Sequence, residues 1–379
     1  MKSILKKTGS AFTFILFSVL TVLHFSCSDA NSSNINPHKN EVDIQKLESG
    51  FNASFFLDAN NELWVCGNNS NGQLGNHSAS NPYLPEKSIA GVAAVASGEY
   101  HSLILKTDQS LWVVGRNDSG QLGLGNTSNQ SIPFELLKDI KYVAAGKDFS
   151  FFIKNDNSLW AMGNNVFGQL GNGNTDRQTS PVKIMDDVKS VSAAAAHTLI
   201  LKNDGSLWAC GNNSVYQLGD GTDKHKSTAV KIADGVTQMS AGNQFSIFLK
   251  SHATLWGVGF NGAGQMGDDS VYTVHNPKQI LQDVKEAAAG HGNTMALKKD
   301  GTLWAAGLND FGQLGNGNYE NQGTFIQVLE NVSEVKTGRY HTLVLKENKT
   351  AWSAGSNGSG QLGTGRGVGD RNTFMQIEF

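Results

Sequence analysis

Cysteine, net charge and catalytic signatures are all scarce in this sequence. Its 379 residues include three cysteines, too few to staple a chain of this size, so the fold has to rest on strand pairing and packing. The formal net charge is −3 and no basic tail is present, which leaves no electrostatic footprint for nucleic acid. No HExxH or CxxC spacing, paired-carboxylate cluster or nucleophile motif stands out. Short fits to Gly-x-Gly-x-x-Gly lack the strand–helix context of a nucleotide site. Acidic turns such as Asn203-Asp204-Gly205 offer too few oxygens for calcium. These absences argue against an enzyme, and neither cofactor nor metal is expected.

Tryptophan is limited too, and its placement is decisive. The seven present, Trp64, Trp112, Trp160, Trp208, Trp256, Trp304 and Trp352, stand 48 residues apart. A fixed period of this size marks a repeat architecture. Other residues keep the same beat: glycine from Gly67 to Gly355, asparagine from Asn69 to Asn357, and Gln-Leu-Gly from Gln73-Leu74-Gly75 to Gln361-Leu362-Gly363. Met266 is the one departure from leucine in that tripeptide.

Each unit reads as four short strands. In the second unit, Val92–Ala96, His101–Lys106 and Leu111–Gly115 are apolar runs too short for an ordinary helix. The polar turn between the latter two becomes Asn203-Asp204-Gly205 and Lys299-Asp300-Gly301 in later units, and Asp-Gly accepts the positive φ of a tight hairpin. A fourth run follows the glycine-rich segment, as in Pro181–Ile184 and Pro277–Ile280. Four strands per unit in seven units is the grammar of an all-β propeller. In repeat register Phe379 matches Glu330 and Asp43 matches Asn331, so the ends meet, and residues 43–379 are expected to form a closed seven-bladed ring. On this reading Phe374–Phe379 completes the blade begun by Ile44–Leu47, so that N- and C-terminal strands share one blade. The tryptophans are then structural, each packed against the neighbouring blade. Cys66 and Cys210 hold one repeat position three units apart, well beyond the roughly 7 Å Cα limit of a disulfide.

The run Asp300–Gly317 (Asp-Gly-Thr-Leu-Trp-Ala-Ala-Gly-Leu-Asn-Asp-Phe-Gly-Gln-Leu-Gly-Asn-Gly), with the Gly-x-x-His of Gly98–His101 and Gly338–His341, resembles the regulator of chromosome condensation repeat family in its bacterial form. The resemblance implies a seven-bladed propeller. The family's namesake is a nucleotide-exchange factor for a small GTPase and binds chromatin. The even spacing here leaves no room for the inserted hairpin wedge used in exchange, so that role is the weakest of the readings. A bacterial propeller inhibitor of β-lactamases also belongs to this repeat class, and by analogy protein binding is the leading expectation. Carbohydrate binding or catalysis in the central channel is the alternative. Family members often carry a second aromatic directly before the glycine, where this chain has Cys66, Val114, Met162, Cys210, Val258, Ala306 and Ala354.

Lys2, Lys6 and Lys7 precede the uncharged apolar stretch Ala11–Phe25, which ends at Ser26-Cys27-Ser28. That is the order of a secretory signal. It resembles a bacterial lipoprotein signal, making residues 1–27 the signal and Cys27 the lipid-bearing residue, with His24 and Phe25 as departures from the strict pattern. Cleavage near Ala30 and an uncleaved anchor are the alternatives. Residues 28–42 have the polar composition of a flexible linker. The expected molecule is a monomeric propeller of the cell envelope, tethered to the membrane by lipid, with a protein partner.

Subtracting the repeating frame leaves the positions that vary. One set follows the first strand: Phe51-Asn52, Glu99-Tyr100, Lys147-Asp148, Asn243-Gln244, His291 and Arg339-Tyr340. Repeat logic places all of them on one face of the ring, and Tyr and Arg are frequent interface anchors; these are the candidate partner-binding residues. His101, His197 and His341 share a position with Ala53, Phe149, Phe245 and Asn293, which marks it as a packing or loop-bracing site.

Overall fold

The computed structural model describes residues 42–379, so Cys27 and the signal-like segment lie outside the described residues. Twenty-eight strands form seven separate four-stranded antiparallel sheets, each built from strands consecutive in the chain. In the second, Val92–Ser97, His101–Lys106, Leu111–Gly115 and Gln130–Leu137 are neighbours in that order. The first strand of each blade lines a central channel and the fourth forms the rim. The turn between second and third strands closes on a residue of positive φ, 80° at Gly205 and 81° at Gly301, as the Asp-Gly sequence requires.

The hydrophobic core is not central. It is divided into seven wedges, one at each seam between adjacent blades. Phe149, Phe151 and Ile153 of the third blade pack with Val188, Val191 and Ile200 of the fourth. Phe152 points the other way and packs with Leu103, Leu105 and Val113 of the second blade. The period of two along the strand therefore feeds both seams of a blade.

Ring closure follows this plan and corrects one expectation. The N- and C-terminal strands do not share a blade. Arg371–Gln376 pairs with its own predecessor, Trp352 opposite Gln376, while the first blade is completed by Glu86–Ala90, Trp64 opposite Lys87. Each unit starts at the channel and ends at the rim, so Asn331 stands between blades and the two ends meet at a blade boundary. The seam is closed by packing: Ile44, Leu47, Phe56 and Cys66 against Leu343, Leu345, Ala351 and Ile377. Phe379 caps it, edge-on to Phe56 at 5.1 Å and to Trp64 at 5.8 Å.

The tryptophans lie on the third strands, and six of them pack into the seam with the preceding blade. They are half-buried rather than buried. Their indole N–H groups donate to a neighbouring oxygen, as from Trp160 to Ser158 Oγ (2.9 Å), which itself donates to Asp156 in the turn (2.6 Å). Lysine ammonium groups lie over the outer ring faces, 4.5 Å away at Lys154–Trp160 and 4.4 Å at Lys298–Trp304.

Because no strand pairing closes the ring and Phe379 caps the packed seam, Phe379→Ala should destabilise the whole ring by about 1–3 kcal/mol. Urea unfolding checks it; an unchanged midpoint would mean that Phe379 does not support the seam.

Candidate functional site

Two loops of every blade emerge on the same face: the short loop between first and second strands, and the long glycine-rich loop between third and fourth. The repeating residues of the long loop are spent on holding it. In all seven units the asparagine Oδ1 accepts the N–H of the Leu (or Met266) five residues on, 3.0 Å at Asn69–Leu74 and 2.9 Å at Asn261–Met266. In all seven the glutamine Oε1 accepts the N–H two residues before it, 2.9 Å at Gln73–Asn71. These side chains are buried, and removing them would strand backbone donors.

A second polar device latches blade to blade. Hydroxyls of the second strands donate to the glutamine carbonyl of the preceding unit: Ser150 to Gln121 O (2.8 Å), Thr198 to Gln169 O (2.8 Å), Ser246 to Gln217 O (2.6 Å), Thr342 to Gln313 O (2.7 Å), and Ser54 to Gln361 O (2.6 Å) across the closing seam. His101, His197 and His341 meet Ser150, Ser246 and Ser54 of the next blade through Nε2 at 2.8–3.0 Å. The serine proton is committed to the carbonyl, so the imidazole must donate through Nε2, and Nδ1 is left a bare, unpartnered acceptor. Burial pushes these imidazoles down to about 3, 4 and 4 respectively. They are neutral braces with no access to a substrate. Burial also raises the thiols of Cys66 and Cys210, the latter to about 12, so neither is a ready nucleophile.

The short loops form a rim around one mouth of the channel, tied by backbone bonds from blade to blade: Glu99 N to Lys147 O, Lys147 N to Ala194 O, and Arg339 N to Phe51 O, at 3.0–3.1 Å. Among the candidate residues, Glu99, Lys147 and Arg339 come together, with Glu99 3.3 Å from Lys147 and 3.6 Å from Arg339. Burial raises the carboxyl of Asp148 beside them, against the pull of Lys147 and Arg116. His291 and Tyr340 meet at 5.0 Å, joined by Phe311 from a long loop at 4.6 Å. Burial, and then Arg339, holds His291 below its ordinary value. Tyr100 lies beneath Arg116 at 5.7 Å. Phe51, Asn52 and Asn243 are half-buried, Phe51 meeting this group through the backbone bond from Arg339, and Gln244 is the exposed member of the set.

The channel enclosed by this rim has a volume of about 380 Å³ and is lined by the first strands. One wall is charged: Lys336 lies 3.3 Å from Glu334 and 3.8 Å from Glu286. Burial pushes Glu48 up to about 7, opposed by Lys336. Burial works against the charge on Lys336, but Glu48, Glu334 and Glu286 hold its pKa above the ordinary lysine range. Around the rest of the channel the lining includes small side chains, Ala96, Ala144, Ser192 and Ser240. Sequence reasoning passed over this cluster; its signal was charge at Glu48 and Lys336, a strand position that holds Ala96, Ala144, Ser192 and Ser240 in other units. Among the described residues no group of His, Cys, Asp and Glu is arranged to hold a metal.

Two repeat models described as regulator of chromosome condensation (RCC1) repeats match the chain, one at residues 60–105, 108–153, 156–201, 204–249 and 300–345, the other at 44–73, 92–121, 140–169, 188–217, 284–313 and 332–361. Residues 250–283 lie in neither set. No curated protein sequence matched. Human WBSCR16 is similar in structure, with TM-score 0.72 and 23% identity over 80% of this chain and 88% of that one. Yeast RCC1 (Prp20) bound to Kap60 gives 0.76 and 20% over 96% and 91%. Prp20p of Saccharomyces cerevisiae, described with its binding properties to Gsp1p and histones, gives 0.76 and 20% over 89% and 87%. At these identities the likeness concerns the fold.

The buried neutral histidines give stability a pH dependence. Their folded values lie below the ordinary 6.5, so the unfolded chain takes up protons first and stability falls as pH drops below 6.5. Each contributes up to about 1.4 kcal/mol per pH unit. Replacing all three by Asn, the residue at Asn293, should flatten the loss between pH 6.5 and 5 in urea titrations. An equally steep loss in the triple variant would contradict this origin.

Proposed function

The chain belongs to the regulator of chromosome condensation (RCC1) repeat family, and from that premise we propose that it is a non-enzymatic propeller binding a protein partner through the face built by its short and long loops. One observation carries the reading. The residues common to all units are consumed by seams, latches and loop bracing, whereas the residues that differ collect on this face. The titratable groups of the frame support it as well. His101, His197, His341, Cys66 and Cys210 are buried and held away from reactive states, so they offer scaffold and no general base or nucleophile. The proteins named with yeast Prp20, namely Kap60, Gsp1p and histones, make a protein partner consistent with this architecture.

The proposal includes export and a lipid at Cys27, supported by the charged, apolar and Ser-Cys-Ser order of residues 2–28. A second reading is favoured by one feature: the channel is concave and gathers Glu48, Glu286, Glu334 and Lys336 on one side, a convergence of polar groups suited to a small molecule.

Cross-linking of the full chain in cell-envelope preparations should capture a partner, and capture should drop at least tenfold on Tyr100→Ala with Arg339→Ala and Tyr340→Ala. Undiminished capture would remove these residues from the binding face. Fatty-acid labelling should mark the wild type and not Cys27→Ser; label on both, or on neither, would overturn the anchor.

A further inference from the structure

Large apolar side chains reaching solvent on the loop face are concentrated in one sector. Phe260, Val271 and Tyr272 of the fifth blade are 37%, 62% and 80% exposed, and Tyr319 of the sixth is 48% exposed. Leu84 and Val166 are single exposed residues on the first and third blades, and the exposed Ile132 and Phe134 of the second lie on its outer strand rather than in a loop. The frame does not demand the aromatic residues. Asn68, Asn164 and Asn212 stand at the repeat position of Phe260, and Ser80, Ser128 and Lys224 at that of Tyr272. All three fifth-blade residues fall within 250–283, a stretch that neither repeat model matches.

The charge around this patch has one sign. Asp269, Asp310 and Glu320 are exposed and take part in none of the ion pairs found among the described residues. Lys278 nearby is already bound to Asp268 at 2.7 Å. The second, third and seventh blades differ: there Glu99 is paired with both Lys147 and Arg339 across the channel mouth, and Arg116 is paired with Asp118 at 2.6 Å. There these carboxylates are paired, whereas the fifth and sixth blades leave both apolar area and carboxylates open to a partner.

We propose that the loop face of the fifth and sixth blades docks a protein segment carrying aromatic or aliphatic side chains flanked by lysine or arginine. This rests on the reading that the loop face binds protein, and extends the contact of Tyr100, Arg339 and Tyr340 onto the fifth and sixth blades, naming what that part accepts. Burial of Phe260, Val271 and Tyr272 supplies the contact area, and Asp269, Asp310 and Glu320 select against acidic segments.

The test presents the full chain to a displayed library of random peptides. Enriched peptides should combine basic with aromatic or aliphatic residues. Their affinity should fall at least tenfold with Phe260→Asn plus Tyr272→Ser, and several-fold with Asp310→Ser, each residue being one that another blade tolerates at that position. Arg116→Ser, which copies Ser356, should leave affinity unchanged. No enrichment, enrichment of acidic peptides, or full binding by the double variant would overturn the proposal. If Tyr100→Ala with Arg339→Ala abolishes binding while the double variant binds fully, the sector is wrong but the loop-face reading stands. Equal binding to phosphatidylcholine vesicles, lost in the double variant, would assign the patch to membrane instead and overturn the docking of a peptide.

Discussion

A four-stranded blade cannot bury its own faces. Its second strand sends alternate residues to opposite sides, so Phe151 and Phe152, adjacent in sequence, belong to different cores. Each blade is therefore stable only between two others, and the seven seams are one interdependent object. This explains why no disulfide is needed: Cys66 and Cys210 are free and buried, each filling a seam. It also explains why the closing seam is built like the other six, from apolar wedges, with the addition of Phe379 set against Phe56 and Trp64.

Polar groups follow the same nearest-neighbour logic. The hydroxyl-to-carbonyl latch joins a second strand to the preceding blade's long loop, and the imidazole adds a donor from one blade to the next. A glutamine and an asparagine per unit close the long loop internally. With its backbone satisfied in this way, the loop tolerates different side chains at its tip, which is why variation can accumulate on this face without loss of fold. The same argument separates loop-face residues that engage one another from those that face solvent. Glu99 and Arg339 pair across the rim, whereas Phe260 and Tyr272 have no such engagement.

Much of the fold was legible because a repeat multiplies weak signals. One unit's apolar runs are ambiguous, but seven copies in register mark four strands, a hairpin turn and a ring. The manner of closure was not legible. Register shows that residues 43 and 379 adjoin a common point, yet it cannot say whether that point lies inside a blade or between two, since this depends on which strand Arg371–Gln376 pairs with. The half-burial of the tryptophans was hidden for a similar reason: a strand position gives the side, not how far the neighbour extends over it. The site was less legible still. Variation identified the face, but Phe311, Phe260 and the Glu48–Lys336 channel wall emerged only when residues from separate units were placed side by side.

The sequence by itself determined the period, the blade count, the strand content and the residues that hold each loop, because these are local properties of a 48-residue unit. Tertiary structure alone decided closure by packing, the pairing of Glu99 with Lys147 and Arg339, and the apolar, acidic sector of the fifth and sixth blades. These are relations between units, set by how seven copies bend into a ring, and no single unit encodes the neighbour it will meet.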